Sequence, residues 1–438
     1  MAAAWLALLV TPAQSVSTAG QTLRVGAATP DFSLSGPAEL DLFGQSVPTT
    51  LQFSGLIRPK LELAHITINS QLTQFVQASA QRSDVQSQLS NSLVSGWERY
   101  FLWQTLVTAG FAVLLLLAYS GIRHYTHRRM LKVVSLGTLV AVVVNVGAVV
   151  LFATGTPSTL RQVRSLNDLV GVSALGGEPE PVGARLPGYQ AVVIGDSTAA
   201  AIGNPPVPHA TALDKACGRS IDAYAEDLAQ VNGWNVLNLA CSGATVDTGL
   251  LMPQIIGGQT APAQLSVLRQ ADRAKVVVVS VGANDIEWIA TAALCVLAQA
   301  CDDQVSTAYF QSNLAGFTRE FYQLLHGLAD LPQHPQILIN TYFDPFGPNV
   351  KCLGPDGFTP AKTKVLEARL NTLNTVLTQG AQTFGFTAVR PDFSGHELCT
   401  AQPYVQGMHS AAPLHPTAAG ELAIALTDQQ ALTAASTA

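Results

Sequence analysis

Gly195, Asp196 and Ser197 form a small polar triplet between an apolar run and a stretch of alanines. The apolar run, residues 190–195, predicts a buried strand, and a helix is expected to begin directly after the triplet. A hydroxyl held at such a strand end, next to the amides of a helix N-terminus, has the position of a nucleophile. The same residue types also end strands and cap helices, so the triplet alone leaves both interpretations open.

Further polar or glycine positions complete a possible catalytic set. Gly243 and Asn284 each follow a later apolar run, and His415 precedes a proline and a predicted helix. With Ser197, these are the groups that acyl transfer requires: a hydroxyl nucleophile, a base, and N–H donors for an oxyanion. We predict that Ser197 is the nucleophile and His415 its base. The backbone N–H groups of Ser197 and Gly243 and the side-chain amide of Asn284 would hold the oxyanion.

Five short apolar runs predict the strands that would bring these residues together. They cover residues 190–195, 234–240, 274–282, 335–343 and, more weakly, 386–391. Because helical stretches separate them, we predict an α/β fold with three layers, α/β/α, around a parallel five-stranded sheet. In such sheets functional residues collect at the carboxyl ends of the strands, and the predicted catalytic residues fall there.

The order of these motifs over residues 189–430 resembles that of the SGNH, or GDSL, hydrolase family. Its first three motifs correspond to GDS ending at Ser197, to Gly243, and to GAND around Asn284; His415 corresponds to the last. The resemblance implies a flavodoxin-like α/β/α hydrolase domain with esterase or lipase activity and no cofactor.

The last motif departs from the family pattern. Ala412 stands three residues before His415, where the family has an Asp that orients the imidazole. Some secreted actinobacterial-type members, which this region resembles, use a Ser–His dyad with a main-chain carbonyl as the third partner. The carbonyl of Ala412 or of Pro413 is therefore the expected partner, and the carboxylates of Asp392 and Glu397 are the alternatives.

Other polar residues receive structural interpretations. Asp196 is expected to cap the following helix, and Asp285 to act as a structural hydrogen-bond partner. His409, six residues before His415, is the rival base. Three further histidines are expected at the surface or in loops: His209, His334 and His396. No residue cluster has metal-ligand spacing and no phosphate-binding glycine loop follows a strand, so neither a metal nor a cofactor is implied.

All six cysteines lie between residues 217 and 399: Cys217, Cys241, Cys295, Cys301, Cys352 and Cys399. None forms a CxxC pair. An even number of scattered cysteines in a chain of low charge indicates disulfides formed in an oxidising compartment. We predict the sequential pairing 217–241, 295–301 and 352–399, because each bond would close a loop beside one motif. Buried free thiols are the alternative.

Composition and hydropathy indicate a membrane or exported protein. Only 12% of residues are charged, about half of the ~25% typical of soluble domains, and the net charge of −6 provides no basic surface for nucleic acid. Residues 100–122 and 133–154 are uncharged and long enough to cross a hydrocarbon core of ~30 Å. Residues 123–132 carry four basic side chains, which makes this loop cytoplasmic and both flanks extracytoplasmic. Asn145 is expected to make a contact between the two spans.

The remaining segments complete the predicted domain order. Residues 1–14 are interpreted as a truncated or atypical export segment, and residues 15–99 as an extracytoplasmic β-rich region ending in a helix. Residues 155–188, rich in glycine and proline around GGEPEPVG, are interpreted as a linker. Residues 189–438 form the predicted hydrolase domain.

The leading hypothesis is a membrane-anchored extracytoplasmic serine esterase or lipase acting on acylated lipids or envelope glycans. An O-acyltransferase of the cell envelope, resolving the same acyl-enzyme with a sugar hydroxyl, is one alternative. The presence of only two predicted membrane spans makes this alternative the weaker one, because the envelope acyltransferases that resemble this family are often fused to a domain with many spans. A catalytically silent scaffold working through residues 15–100 is the other alternative.

Overall fold

The computed structural model of the chain describes six stretches. They are residues 2–18, 21–28, 35–54, 58–66, 82–160 and 185–436. Residues 1–42 and 46–174 group into one compact unit, and residues 43–45 and 175–438 into a second. Most of the linker predicted over 155–188 lies outside the described residues.

The first unit begins with a helix and a five-stranded sheet. Its elements are α1 (Ala2–Val10), β1 (Gln14–Thr18), β2 (Gln21–Ala27), β3 (Ser35–Leu42), β4 (Gln45–Ser54) and β5 (Pro59–Ile66), with the strand order β1-β2-β5-β3-β4. In β5, buried Leu61 and Leu63 alternate with Lys60 and Glu62, which is the pattern of a sheet with one buried face. The N-terminal region is therefore β-rich, as predicted, but its strands begin at Gln14.

Two long helices complete this unit: α2 (Arg82–Ile122) and α3 (His127–Leu160). The predicted basic loop over 123–132 is only a short turn, because α3 already begins at His127. Arg128, Arg129 and Lys132 therefore stand on the first turns of α3, where no glycine or proline opposes a helix. By length and composition, Ser92–Ile122 and His127–Val150 could each cross a membrane.

A polar contact joins the two helices in the middle of their apolar surfaces. Asn145 is buried, and its amide donates to Gln104 Oε1 at 2.8 Å and to Thr105 Oγ1 at 2.9 Å. The Gln104 amide donates back to Asn145 Oδ1 at 2.9 Å. Asn145 thus makes the predicted helix–helix contact, because a buried amide needs partners for both its donors and its acceptor.

The second unit is an α/β domain around a parallel sheet. Its five strands are β6 (Ala191–Gly195), β7 (Val236–Asn238), β10 (Val276–Ser280), β11 (Gln336–Asn340) and β12 (Thr387–Val389). They are ordered β12-β11-β10-β6-β7, with every neighbouring pair parallel. The predicted five-stranded parallel sheet is confirmed.

Helices in two groups cover this sheet. The helices are α4 (Ser197–Ala200), α5 (Ala212–Cys217), α6 (Tyr224–Asn232), α7 (Gln264–Leu268), α8 (Trp288–Leu297), α9 (Gln304–Ala329), α10 (Pro360–Thr383) and α11 (Ala418–Ser436). Helix α6 packs on α11, while α8, α9 and α10 pack on one another. The three-layer α/β/α architecture is confirmed.

Two local features differ from the sequence expectation. Strand β7 is shorter than the apolar run 234–240, because the Asn238 side chain accepts from the Ala240 N–H and donates to the Ala199 carbonyl, which turns the chain out of the sheet. A small hairpin, β8 (Gln254–Ile256) and β9 (Gln259–Ala261), was not predicted. Gly257 and Gly258, both at positive φ, make its two-residue turn.

Candidate active site

Ser197 lies at the turn between β6 and α4, as the first residue of the helix. The turn is tight: a Cβ on Gly195 would lie 2.3 Å from the Ser280 carbonyl oxygen of the neighbouring strand, so only glycine fits there. Asp196 is the N-cap of the helix, and its Oδ1 accepts from the Thr198 N–H at 2.9 Å. The turn therefore combines both interpretations of the triplet, since Asp196 caps the helix and Ser197 stands at the strand end.

The imidazole of His415 lies directly against this serine. Its Nε2 is 2.8 Å from Ser197 Oγ, although 218 residues separate the two positions in the chain. Its Nδ1 is 2.9 Å from the Pro413 carbonyl oxygen. Because a carbonyl can only accept, Nδ1 carries the proton and Nε2 has a free lone pair for the serine hydroxyl.

The partner of Nδ1 is thus a main-chain carbonyl, and it belongs to Pro413. The Ala412 carbonyl accepts instead from the His415 backbone N–H at 3.3 Å. The two carboxylates considered as alternatives make other contacts: Asp392 accepts from Ser394, and Glu397 accepts from the Gly395 N–H. Neither orients the imidazole.

Gly243 and Asn284 lie in the loops that follow β7 and β10. Gly243 has φ of 75°, and within residues 185–436 its backbone N–H has no protein acceptor. The Asn284 amide donates to the Ala244 carbonyl at 2.9 Å, which connects the two loops. One amide hydrogen of Asn284 is used in this way and the other is left for a ligand.

A buried tyrosine joins the serine turn to the Asn284 loop. The Tyr342 hydroxyl donates to Asp196 Oδ2 at 2.6 Å and accepts from the Ala283 N–H at 2.9 Å. Burial raises the pKa of Asp196, while the hydrogen bonds from Tyr342 and Thr198 act in the opposite direction. The Tyr342 phenol therefore fixes the relative position of two strand ends that carry predicted catalytic residues.

Asp285, the residue after Asn284, also contacts the loop that carries Gly243. Its Oδ1 accepts from the Val246 N–H at 2.8 Å, and its Oδ2 is buried without a hydrogen-bond partner among the described residues. Burial raises the pKa of Asp285 to about 8. The contact with Val246 joins the loop after β10 to the loop that carries Gly243.

The other histidines lie away from Ser197. His209 and His334 are exposed at positive φ, and His396 stacks on Tyr404 with the ring centroids 3.9 Å apart. His409 is 86% exposed and lies 3.3 Å from Asp356, so the rival base does not reach the serine. Among the described residues, no group of His, Cys, Asp and Glu could hold a metal ion.

Three disulfides join the cysteines in sequential order: Cys217–Cys241, Cys295–Cys301 and Cys352–Cys399. The first lies beside the Gly243 loop, where Ser242 donates to the Cys217 carbonyl through both its N–H and its hydroxyl.

A pocket opens on the Ser197–His415 pair. Its walls are largely apolar and come from the loops and helices that follow β10 and β11. The apolar wall residues include Trp288, Ile289, Phe343, Leu370 and Leu373. Such a pocket suits a hydrocarbon chain attached to the reacting carbonyl.

Sequence reasoning missed three residues that support the site. Gln264 and Gly195 exchange two hydrogen bonds, at 2.7 and 2.9 Å. The Gln406 amide donates to the carbonyls of Ile202 and Pro416, which fastens the His415 loop to the α4 end. Only Tyr342 carried a signal, since it lies near the end of the fourth predicted strand, residues 335–343, at the carboxyl edge of the sheet. The two glutamines lie in segments with no such marker.

Comparison with known proteins gives a consistent result. The GDSL-like Lipase/Acylhydrolase family matches residues 193–423, which is more than half of the chain. Lipase 1 of Streptomyces coelicolor is 29% identical over 215 residues, covering 47% of this chain and 73% of that protein.

Solved structures were matched as well. The extracellular lipase of Streptomyces rimosus, 21% identical, has a TM-score of 0.44 over 53% of this chain and 94% of its own. Phospholipase A1 of Streptomyces albidoflavus NA297, 20% identical, has a TM-score of 0.43 over 56% of this chain and 99% of its own. The family match, on a parallel α/β sheet with a serine at its carboxyl edge, shows that the chain belongs to the GDSL-like lipase/acylhydrolase family and is an ester-cleaving serine hydrolase.

Proposed function

We propose that this protein is a membrane-anchored, extracytoplasmic esterase or lipase that hydrolyses acyl esters through Ser197 and His415. The observation that carries the proposal is the 2.8 Å contact between Ser197 Oγ and His415 Nε2 at the floor of an apolar pocket. A serine hydroxyl is a weak nucleophile without a base at this distance.

The proposed reaction proceeds in two halves. Nε2 of His415 takes the hydroxyl proton as Ser197 Oγ bonds to the ester carbonyl carbon, and the negative charge moves to the carbonyl oxygen. That oxygen accepts from the Gly243 and Ser197 N–H groups and the Asn284 amide. The alcohol leaves with the proton from His415. A water molecule, deprotonated by the same nitrogen, then releases the acid and restores the serine.

The imidazolium formed in each half has no hydrogen-bonded carboxylate. The Pro413 carbonyl at Nδ1 keeps the ring in the productive tautomer and orients it, which is the first role of the Asp in a triad. We therefore assign a Ser–His dyad with a main-chain carbonyl.

Membrane anchoring rests on the surface of the two long helices. Their outward side chains are large and apolar. In the most apolar 18-residue stretch of each span, only 22% of the residues in α2 and 6% of those in α3 are buried. The core helix of a water-soluble protein would bury most of these side chains. The basic residues between positions 123 and 132 favour a cytoplasmic position for that end, and the three disulfides favour an oxidising compartment for the catalytic unit.

The pocket and the relatives support the substrate class that we propose. The apolar walls favour an acyl chain over a small polar acid, and two of the similar proteins are named as lipases and one as a phospholipase A1. We propose acylated lipids as the principal substrates, with acylated envelope glycans as the second class.

The test uses the full chain in detergent or proteoliposomes with its disulfides intact. The wild type should hydrolyse medium-chain esters and be labelled by a fluorophosphonate probe. Ser197→Ala should abolish labelling and lower kcat by at least about 10³. Ser410→Ala is the matched control, because its exposed hydroxyl hydrogen-bonds only the Gly407 carbonyl among the described residues. Equal labelling of both variants would exclude Ser197 as the nucleophile.

The base and the product are tested in the same way. His415→Ala should lose activity while His409→Ala retains it. Product analysis with an added polyol should give free acid; acylated polyol as the main product would instead establish acyl transfer.

A further inference from the structure

Helix α8, Trp288–Leu297, has an unusual outer face. Its sequence, WIATAALCVL, contains no charged residue. Trp288, Thr291, Ala292 and Cys295 are buried on the inner side. The other side is entirely apolar: Ile289, Ala293, Leu294 and Leu297 are exposed, and Ala290 and Val296 are half-buried. We call these six residues the α8 outer face.

This exposure is large for apolar side chains. Ile289 is 56% exposed, Leu294 44% and Leu297 84%. A helix on the surface of a water-soluble domain normally carries polar residues outward, and one that is apolar all round is normally buried. Among its described residues, the catalytic unit therefore supplies no partner that covers the α8 outer face.

The face is held rigidly. Cys295, on the inner side, is bonded to Cys301, which ties the segment after the helix back onto it. Lys362 Nζ on α10 donates to the Val296 and Gly357 carbonyls, so the C-terminal end of α8 is fastened to a neighbouring helix. The α8 outer face is thus a fixed platform of the catalytic unit.

The face also begins at the pocket. Trp288 and Ile289, the first residues of α8, line the pocket that contains Ser197 and His415, and Ile289 is exposed as well. An acyl chain leaving an apolar layer in contact with the face would meet the pocket mouth without crossing water.

We propose that the α8 outer face docks the catalytic unit on the uncharged acyl and glycerol region of a lipid surface, from which esters enter the pocket. This inference rests on the proposed function and specifies how its substrate is presented. One face of a ten-residue helix is about 15 Å long, too small for the ~800 Å² per partner that a stable protein interface buries. It is sufficient for a unit whose membrane anchor already gives a high effective concentration of lipid.

Charge specifies the kind of surface. Between Glu287 and Asp303 there is no Lys, Arg or His, and both ends of the segment are acidic. Anionic headgroups would not be attracted to it. Docking should therefore occur on zwitterionic phosphatidylcholine vesicles, be insensitive to salt and gain nothing from anionic lipid.

The first test is catalytic. Leu294→Gln/Leu297→Gln alters the face outside the pocket lining and should leave hydrolysis of a water-soluble short-chain ester unchanged. Hydrolysis of an ester embedded in phosphatidylcholine vesicles should fall by about tenfold or more, because two leucines no longer enter the lipid. Leu422→Gln/Leu426→Gln on α11, 44% and 51% exposed in the wild type, is the matched control and should lose neither activity. Equal activity of both double variants on the embedded ester would overturn the proposal.

The second test does not depend on catalysis. In full-length protein reconstituted with acyl-brominated phosphatidylcholine, a tryptophan introduced by Leu297→Trp should be quenched, and one introduced by Leu426→Trp should not. Quenching at position 297 in a protein without esterase activity would contradict the proposed function but support the docking surface. Absence of quenching with intact esterase activity would remove the docking surface alone. The wild type could also be a dimer in detergent that Leu294→Gln/Leu297→Gln dissociates. That result would assign the face to a second copy of the chain and overturn the proposal.

Discussion

Replacement of Tyr342 by Phe tests how the two strand ends of the site are held together. The substitution removes one oxygen, which donates to buried Asp196 and accepts from the Ala283 N–H. Asp196 is fully buried, and the phenol is the only partner of its Oδ2 among the described residues. The bond matters because the serine turn and the Asn284 loop share this oxygen.

The magnitude follows from the groups left unpaired. Each buried polar group that loses its partner costs about 1–3 kcal/mol. Ala283 is only half-buried beside the pocket, so water can replace the phenol there, and we expect about 2–4 kcal/mol in total. At ~2–4 °C per kcal/mol for a domain of this size, the melting temperature of the catalytic unit should fall by about 5–15 °C.

The catalytic effect is separate from the loss of stability. A shift of the serine turn relative to Asn284 misplaces the nucleophile against the oxyanion donors, and a misplacement of ~1 Å can cost about 10² in rate. Below its melting temperature, Tyr342→Phe should therefore have kcat lowered about ten- to a hundredfold with KM little changed. Steady-state kinetics on a soluble ester and a thermal melt measure the two effects.

Tyr322→Phe is the matched control. Tyr322 is also buried, but its hydroxyl has no hydrogen-bond partner among the described residues. Its removal should leave both stability and kcat unchanged or slightly improved. The reasoning is refuted if the two variants behave alike, and the positioning role is refuted if Tyr342→Phe loses stability with an unchanged kcat.

Three further predictions concern the oxyanion donor, a buried acid and a disulfide. Asn284→Ala should lower kcat by about 10²–10³ with little change in KM, and an unchanged kcat would exclude its amide as a donor. Burial raises the pKa of Asp428 to about 7, so the folded state keeps a proton that the unfolded state releases near pH 3.8. The stabilisation from this group is complete below about pH 3.8 and declines by up to ~1.4 kcal/mol per unit as the pH rises to about 7; Asp428→Asn should remove that decline in urea titrations, and parallel pH profiles would contradict the assignment. Removal of the Cys217–Cys241 bond by a double alanine substitution should cost about 3 kcal/mol of unfolding free energy for a separation of 24 residues, and an unchanged urea midpoint would contradict a structural role.

Local patterns were enough for the architecture. Short apolar runs between helical stretches predicted the five parallel strands, since a strand buried on both faces must be apolar throughout. The two long helices followed from uncharged segments of sufficient length. The glycine at 195 and the capping residue Asp196 are likewise local requirements, because a tight strand-to-helix turn accepts few residue types.

The amino-acid sequence by itself determined which residues could form the site: a serine, a glycine, an asparagine and a histidine, each placed after an apolar run or before a helix. Only the tertiary structure decided the contacts between them. The imidazole partner is Pro413 rather than Ala412, Asp392 or Glu397, and this depends on the path of one loop. No residue type in the sequence marks which main-chain carbonyl takes this role. The Tyr342 bridge and the exposed side of α8 likewise depend on which segments meet, because hydrogen bonding and burial join residues that lie far apart in the chain.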